Sequence, residues 1–250
     1  MSHGRKSVIV TGADSGIGLC MSRALLNRGY KVAALDISSN NIAQHDMLYC
    51  AVDVSQPGEV ERGVEQVLDK FGAIDILVNN ACVAVFGPFL ERSIESLRAE
   101  LDTNLFGCIN TIRAVLPHMQ ARGTGIIWNV SSMVGITGFS GLTGYTMSKG
   151  AIESLSRTLT QEVQGTGVHV GIMHPPLTRT ASAMPLGVPQ EAMARPEIVG
   201  ERLAAAIESG RSVVTTDFMS SVFVWVGYRH PRRLGSLLAQ MTKRGRSQVR

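Results

Sequence analysis

Residues 7–29 read SVIVTGADSGIGLCMSRALLNRG, and this stretch decides the fold. A β-branched run at residues 7–10 precedes a glycine-rich turn, and an apolar-periodic segment at residues 17–28 follows the turn and ends at Gly29. This order predicts a strand, a tight turn and a helix. Glycines in such a turn let the backbone approach a pyrophosphate, which lies at the N-terminal end of the helix. The stretch therefore predicts the first unit of a dinucleotide-binding fold.

The remaining chain continues this alternation. Apolar runs predict strands at residues 31–35, 48–54, 74–78, 125–130, 168–173 and 211–215, and periodic segments predict helices at 55–71, 93–122, 145–164 and 196–209. The helix at 55–71 is expected to have Ser55 as its N-cap and Gly72 as its stop. Little room is left for a crossover helix between Asp36 and Asp53, so a loop is expected there.

This rhythm of elements predicts an α/β protein with a single doubly wound Rossmann-type domain, whose parallel sheet is covered by helices on both faces. Residues 1–215 show no composition break and form the expected nucleotide-binding catalytic domain. Residues 216–250 form an apolar and basic C-terminal extension.

The positive charge of the chain belongs to this extension. The 250 residues are 44% apolar and 18% charged, with a formal net charge of +4. From Phe218 onward there are seven Lys or Arg residues and no acid, which leaves the preceding residues at −3. An apolar run followed by arginines has two interpretations: a helix on an anionic membrane surface, or a cover over a substrate pocket or subunit contact. We expect no nucleic-acid partner, because the tail is short and lacks interleaved aromatic residues.

The cysteines and the N-terminus indicate a reducing compartment. Cys20, Cys50, Cys82 and Cys108 are scattered without C-x-x-C spacing, and no apolar signal segment precedes the first strand. No apolar run approaches the roughly 20 residues that span a bilayer. We therefore expect a cytoplasmic protein with buried free thiols and no metal site, and with peripheral membrane contact as the alternative that the tail raises.

The nucleotide hypothesis rests on the glycine turn and one acid. Gly12, Gly16 and Gly18 lie in the turn, and Asp36 follows 18 residues after the last of them. A carboxylate at the end of the second strand can accept both ribose hydroxyls and repels a 2′-phosphate. No Lys or Arg stands in the turn or directly after Asp36, so NAD(H) is predicted over NADP(H). Asp53, at the end of the third strand, is a candidate partner for the adenine amine.

A second pattern, in residues 131–149 (SSMVGITGFSGLTGYTMSK), predicts proton transfer. Tyr145 and Lys149 are four residues apart, so on a helix their side chains share one face. An ammonium beside the phenol favours phenolate and is expected to lower a pKa that is ordinarily near 10. Ser132 can donate to the same substrate oxygen. These three residues could therefore act in general acid or base catalysis at a carbonyl or alcohol oxygen.

Together these motifs resemble the short-chain dehydrogenase/reductase family, over nearly the whole chain to about Arg211. The family's T-G-x-x-x-G-x-G is matched by residues 11–18 (TGADSGIG), and its N-N-A-G by residues 79–82 (NNAC). Its helix asparagine matches Asn104. Its serine, tyrosine and lysine match Ser132, Tyr145 and Lys149.

The resemblance implies that hydride passes between a nicotinamide cofactor and an alcohol or ketone, with a catalytic tetrad. Tyr145 would transfer the proton, and Lys149 would lower its pKa and bond the nicotinamide ribose. Ser132 would hold the substrate oxygen, and Asn104 would hold a water that links Lys149 to solvent. The cofactor contacts are expected from Gly12, Asp14, Ser15, Gly16, Ile17, Gly18, Asp36, Asp53, Val54, Asn80, Ala81, Tyr145, Lys149, Pro175, Thr178 and Thr180. Cys82 and Pro176 depart from the family pattern, because both replace glycines beside the cofactor.

The segment outside these motifs predicts the substrate class. Residues 178–194 (TRTASAMPLGVPQEAMA) stand where the family places its substrate-covering segment, and apart from Arg179 they offer no charged anchor for a polar substrate. A small hydrophobic ketone or alcohol is therefore expected. The helices at 93–122 and 145–164 resemble those that pair in family homodimers and homotetramers, so a homo-oligomer is expected.

Two rival hypotheses stay open. The P-P-x-T-x-T loop and the tail resemble the 3-ketodihydrosphingosine reductase branch, whose members act on lipids and are generally NADP-dependent. The first rival is thus an NADP(H)-linked lipid 3-keto reductase at a membrane surface. The second is a non-catalytic sensor or scaffold that binds nicotinamide nucleotides.

Overall fold

The computed structural model describes residues 5–247. Within that range seven strands form one parallel sheet in the order β3-β2-β1-β4-β5-β6-β7. The strands are β1 (Ser7–Thr11), β2 (Lys31–Asp36), β3 (Leu48–Ala51), β4 (Ile76–Asn79), β5 (Gly125–Val130), β6 (Val168–His174) and β7 (Val213–Thr215). The helices are α1 (Gly16–Asn27), α2 (Pro57–Phe71), α3 (Ile94–Leu101), α4 (Gly107–Arg122), α5 (Met133–Thr137), α6 (Thr143–Glu162), α7 (Pro196–Ala205), α8 (Phe218–Arg229) and α9 (Pro231–Ser247). The predicted single Rossmann-type α/β domain is confirmed.

Both faces of the sheet are covered, as the apolar runs predicted. Ile9 belongs to a core with residues of α2, α4 and α6, while Val8 and Val10 belong to a second core with residues of α1 and α7. Successive side chains of a strand point to opposite faces, so a strand buried on both sides needs apolar residues at consecutive positions. The two cores hold the carboxyl ends of the strands at one edge of the sheet.

Several predicted boundaries differ from the structure. Ser55 is not the N-cap of α2: its N–H is held by the Asp53 carboxylate at 2.9 Å, and Gln56 is the N-cap before Pro57. Gly72 ends α2 with a left-handed φ of 81°, as expected. The predicted helix at 93–122 contains a π-helical segment, Asp102–Phe106, between α3 and α4.

The expectation of buried thiols is only half right. All four cysteines are free; Cys50 and Cys108 are buried, Cys20 is half-buried and Cys82 is exposed. Cys82 differs because it follows the end of β4 and lines the cavity described below.

The segment between β2 and β3 is a loop with a single 3₁₀ turn, Ile42–Gln44, as expected from its length. Its conformation is held by Asp14, whose carboxylate accepts hydrogen bonds from the backbone N–H groups of Asn41 (2.7 Å) and Ile42 (2.9 Å) and from the Ser38 hydroxyl (2.8 Å). Burial disfavours the charged form of Asp14, but these hydrogen bonds outweigh it and lower its pKa. Asp14 therefore anchors the loop that follows Asp36.

Asp14→Ala should lower the free energy of unfolding at neutral pH by about 2–3 kcal/mol, because partly buried donors lose a charged acceptor. The folded-state pKa lies below the ordinary value of 3.8, so this contribution is present above that value and is lost as the pH falls through the folded-state pKa. Urea unfolding at neutral pH and in acid checks both statements. Asp46→Ala, at an exposed acid of the same segment, should leave stability unchanged. If Asp14→Ala lowered the free energy of unfolding by the same amount at every pH, the role of the ionised carboxylate would be contradicted.

The C-terminal extension folds back on the domain. Helices α8 and α9 pack against α5, and two glycines show how closely: a Cβ on Gly227 would lie 2.4 Å from Met133 Sδ, and one on Gly235 would lie 2.6 Å from the Thr137 carbonyl oxygen. Among the described helices, none has the length and apolar content that crossing a bilayer requires.

Candidate active site

A cavity of about 1250 Å³ lies at the carboxyl ends of the strands. In the sheet order the chain runs outward from β1 in one direction and from β4 in the other, and ligands of open α/β sheets bind at such a switch point. The cavity is lined by the glycine turn, the ends of β2 to β6, the segment after β6, and helices α8 and α9. One continuous cavity therefore holds the predicted nucleotide site, the predicted catalytic residues and a further apolar region.

The glycine turn has the geometry that close approach of a ligand requires. Gly12 has a φ of +62°, and a Cβ there would lie 2.7 Å from the Cα of Ala81. Gly16 has a φ of +53° and faces the Thr180 methyl group. Gly18 does not line the cavity; a Cβ there would lie 2.1 Å from the Gly12 carbonyl oxygen. Gly12 and Gly16 thus open the turn toward the cavity, while Gly18 lets α1 pack against it.

The turn is tied to the end of β4 by Asn80. Its side-chain amide donates to the carbonyl oxygens of Thr11 and Gly12, each at 3.0 Å. The Thr11 hydroxyl in turn accepts the backbone N–H groups of Asn80 and Ala81, each at 3.0 Å. These bonds fix the two loops that form the floor of the predicted nucleotide site.

Asp36 lies at the cavity wall with its carboxylate oriented by backbone. Its Oδ2 accepts the N–H of Asp14 at 2.9 Å, and its Oδ1 accepts the N–H of Ser38 at 3.1 Å. The Asp14 side chain bonds the loop after β2, and the residue does not line the cavity. A fixed carboxylate, two glycines without room for Cβ atoms and a helix N-terminus fit the adenosine diphosphate part of a nicotinamide cofactor.

The structure brings most of the predicted cofactor residues together. Those that line the cavity are Gly12, Ser15, Gly16, Ile17, Asp36, Asp53, Val54, Asn80, Ala81, Tyr145, Lys149, Pro175, Thr178 and Thr180. Asp14 and Gly18 lie behind it. Their individual contacts with a cofactor stay predictions.

Lys149 is buried beside Tyr145. It is 2% exposed, and its Nζ donates to the Val130 carbonyl oxygen at 2.7 Å and lies 5.5 Å from the centre of the Tyr145 ring. A buried ammonium needs such partners, because an unpaired buried charge is costly. The predicted pairing on one face of α6 is thus present, although α6 begins two residues earlier than predicted.

The pKa of Tyr145 is raised, whereas the neighbouring lysine was expected from the sequence to lower it. Burial raises the pKa of the phenol above its ordinary value of 10.0, the neighbouring Cys82 and Glu100 raise it further, and the hydrogen bond with Ser132 opposes them. The Lys149 ammonium, 5.5 Å from the ring centre, does not bring the pKa of the phenol below its ordinary value. Tyr145 therefore carries its proton at neutral pH, which suits a group that donates a proton to a carbonyl oxygen.

Asn104 lies behind Lys149 and not on the main cavity. It sits in the π-helical segment, with Oδ1 accepting the Val83 N–H at 2.7 Å and Nδ2 donating to the Val83 carbonyl oxygen at 2.8 Å. Asn104 and Lys149 both line a second cavity of about 10 Å³, which is room for about one water. Short π-helical segments recur at functional sites because they shift the groups of one helical turn.

One residue of the site, Glu100, was not predicted from the sequence. Glu100 is buried in an ion pair with Arg92 at 3.0 Å and touches the first turn of α6, where a Cβ on Gly144 would lie 2.1 Å from its Oε2. The positive end of a helix stabilises a carboxylate there. Helices α8 and α9 also provide part of the cavity wall, through Met219, Phe223, Val224 and Leu238. This position agrees with one of the two interpretations of the tail, a cover over a pocket.

A family model described as short chain dehydrogenase matches residues 6–190. The chain belongs to the short-chain dehydrogenase/reductase family. Its members are oxidoreductases that act on alcohol or carbonyl groups with a nicotinamide cofactor. This chain is therefore an oxidoreductase of that kind.

Three relatives illustrate the range of the match. The 2-(R)-hydroxypropyl-CoM dehydrogenase of Xanthobacter autotrophicus is 34% identical over 185 residues, which cover 69% of this chain and 74% of that protein. The 3-ketodihydrosphingosine reductase of Mus musculus is 35% identical over 187 residues, which cover 69% of this chain and 56% of that protein. The structure of a short-chain dehydrogenase from Streptomyces avermitilis superposes with a TM-score of 0.81 and 25% identity, covering 100% of this chain and 99% of that one. The predicted resemblance to the family and to its 3-ketodihydrosphingosine reductases is confirmed.

Proposed function

We propose that this protein is an NAD(H)-dependent dehydrogenase or reductase that interconverts a hydrophobic alcohol and its ketone. The observation that carries the proposal is one cavity that is lined by Asp36, by Tyr145 and by the apolar side chains of α8. Asp36 supports the preference for NAD(H), and Tyr145 supports proton transfer to or from the substrate oxygen. The apolar side chains of α8 support a hydrophobic substrate.

The mechanism follows from what the chain's own groups can do. Bound NAD(H) supplies or accepts the hydride. Tyr145 donates the proton to the carbonyl oxygen of the substrate in the reducing direction, for which its raised pKa keeps it protonated. Ser132, which hydrogen-bonds the phenol, orients that oxygen. Lys149 stabilises negative charge on the phenol after the proton has left, because its ammonium lies 5.5 Å from the ring centre.

Proton resupply is the role proposed for Asn104. The second cavity, which Asn104 and Lys149 both line, has room for a water. That water can return a proton from solvent to the Lys149 amine after the ammonium has given a proton back to the Tyr145 phenolate. Two hydrogen bonds with the Val83 backbone fix the side chain of Asn104.

The walls beyond the catalytic residues favour an apolar substrate. On this side the cavity is lined by Met133, Val134, Phe139, Leu142, Leu186, Val188, Met219, Phe223, Val224 and Leu238. Two charged side chains, Arg179 and Glu191, lie on the segment that covers the site, and both are exposed. Arg179 lines the cavity and Glu191 does not. Burying substrate carbon against this apolar wall strengthens binding by about 0.8 kcal/mol for each CH₂.

The proposed function is tested by the absorbance of the nicotinamide ring. A panel of ketones and alcohols, graded by chain length and ring count, is assayed with each cofactor. We expect turnover with NAD(H), and a kcat/KM that rises with substrate hydrophobicity. Tight NADH binding without turnover on any substrate would favour the non-catalytic sensor, and a preference for NADPH would favour the lipid-reductase rival.

We propose a homodimer or homotetramer as the assembly. Phe106 beside α4 and Met147 on α6 are exposed apolar side chains on the helices that the family resemblance implicates in subunit contacts. Burying such side chains against a second copy stabilises an assembly.

The membrane-surface rival is supported by the outer face of α8. Phe218, Val222 and Trp225 are spaced so that they form one line along the helix, and Arg229 continues it. Phe218 is 79% exposed and Trp225 65% exposed. Aromatic and aliphatic side chains flanked by arginines suit the boundary of an anionic bilayer.

If this face binds lipid, the protein should cosediment with vesicles that contain anionic lipid and not with purely zwitterionic vesicles. The double variant Phe218→Ser/Trp225→Ser should weaken that binding by about tenfold or more, because the inserted apolar area is removed. High salt should weaken it as well. Equal binding to both kinds of vesicle, or none to either, would count against the membrane-surface rival.

A further inference from the structure

A buried carboxylate with no part in the proposed mechanism lies one turn beyond the catalytic lysine. Tyr145, Lys149 and Glu153 are spaced by four residues on α6 and therefore share one face of the helix. Glu153 is 3% exposed. A buried carboxylate requires hydrogen-bond donors around it, and these donors come from elsewhere in the fold.

Within residues 5–247, side chains from three other elements reach Glu153. Tyr228, near the end of α8, donates its hydroxyl to Oε2 at 2.5 Å, and His174, the last residue of β6, has its Nε2 3.0 Å from Oε1. Ser131, directly after β5, hydrogen-bonds the carboxylate too. Arg157, one turn further along α6, approaches Oε2 at 3.4 Å.

The charges of this cluster are consistent with one another. Burial disfavours ionisation of Glu153, but the hydrogen bonds from His174, Ser131 and Tyr228 outweigh it and lower its pKa. Burial and the bond to Glu153 raise the pKa of Tyr228, which therefore stays a donor. We assign the histidine proton to Nε2, because this nitrogen faces the carboxylate, while Nδ1 is buried without a partner among the described residues. Glu153 is thus an ionised acceptor, and the Tyr228 hydroxyl is one of its donors.

The cluster connects the catalytic helix to the substrate wall. Val224 lines the cavity and lies one turn before Tyr228 on α8, and Phe223 and Met219 line the same wall. His174 lines the cavity as well and is followed by Pro175, at the start of the segment that covers the predicted nicotinamide site. A hydrogen bond to a buried carboxylate is stronger than one between neutral groups, so Tyr228 is a firm attachment for the C-terminal end of α8.

We propose that Tyr228 is a positioning residue: its hydrogen bond to Glu153 holds α8 against the catalytic helix and so fixes the apolar wall that large substrates contact. The role assigned to Tyr228 rests on the proposed function, because the wall matters only if the cavity binds an apolar substrate. Tyr228 touches neither the reacting atoms nor the cofactor site in this role. It acts through Phe223 and Val224.

Tyr228→Phe tests the assignment, because phenylalanine keeps the packing of the ring and removes only the hydroxyl. We expect KM to rise about tenfold for a ketone long enough to reach α8, which is the usual effect of losing one hydrogen bond to a buried charge. For a short ketone that does not reach α8, kcat and KM should stay unchanged. The matched control is Tyr30→Phe, which removes a hydroxyl bonded to Glu208 on the surface and should change neither.

Hydrogen exchange gives a second readout that needs no substrate. In Tyr228→Phe, the backbone amides of residues 218–229 should exchange faster than in the wild type, while the amides of α1 should exchange at the wild-type rate. In Tyr30→Phe, exchange should change only around residue 30. Equal loss of activity on short and long substrates, or unchanged exchange in α8, would overturn the assignment. If the wild type turns over no member of the panel, the proposed function fails while the exchange comparison still decides whether Tyr228 holds α8.

Discussion

Tyr145→Phe is expected to lower kcat by about a thousandfold while NADH binds as tightly as to the wild type. A positioned general acid contributes roughly 10²–10⁴ to rate, and phenylalanine fills the same space without a proton to give. Stopped-flow turnover and NADH fluorescence titration measure the two quantities separately.

The control for this experiment is again Tyr30→Phe, whose hydroxyl lies at the surface and bonds Glu208. It should retain full activity. Turnover of Tyr145→Phe within tenfold of the wild type would show that the proton comes from another group. Loss of NADH binding in the same variant would show that the substitution disturbs the cofactor site and not proton transfer alone.

Asp36→Asn is expected to reduce the preference for NADH over NADPH by about a hundredfold or more. The wild-type carboxylate is oriented by the N–H groups of Asp14 and Ser38, so its free lone pairs can accept two ribose hydroxyls. Each hydrogen bond to a charged group contributes about 1.5–3 kcal/mol, and the neutral amide loses part of both while ending the repulsion of a 2′-phosphate. The ratio of the two dissociation constants is the measurement.

Asp46→Asn is the matched control for the cofactor preference. It makes the same chemical change at an exposed acid in the loop after β2, and it should leave the ratio unaltered. An unchanged ratio in Asp36→Asn would mean that another part of the site selects the cofactor. A wild type that already prefers NADPH would overturn the prediction drawn from Asp36.

The parts of the site that the sequence predicted are those built from residues close together in the chain. The glycine turn needs φ values near +60° at Gly12 and Gly16, which other residues rarely adopt, so its sequence is distinctive. Tyr145 and Lys149 are four apart on one helix, where spacing determines which side chains meet. Such short-range geometry can be inferred without knowing the fold.

The parts that were missed depend on contacts between distant residues. Asp14 reaches residues 24 to 28 positions later in the chain, so its role as the anchor of a loop could not be read from the sequence. The hydroxyl of Tyr228 meets Glu153 across 75 residues, and no local pattern marks that pair. The pKa of Tyr145 was expected to fall because the sequence shows the nearby cation but not the burial. Glu153, four residues after Lys149, could have been identified as an inward-facing acid from its spacing alone.

The division of the cavity has a consequence for how this protein can change. The proton-transfer residues lie between Asn104 and Lys149, whereas the α8 and α9 part of the apolar wall comes from residues 219–238. Substitutions in that later segment can alter which molecules are accepted without touching any group that moves a proton or contacts a nucleotide. For a protein engineer, α8 and α9 are therefore a region in which selectivity can be varied over a constant reaction, and Tyr228 is the residue to keep while doing so.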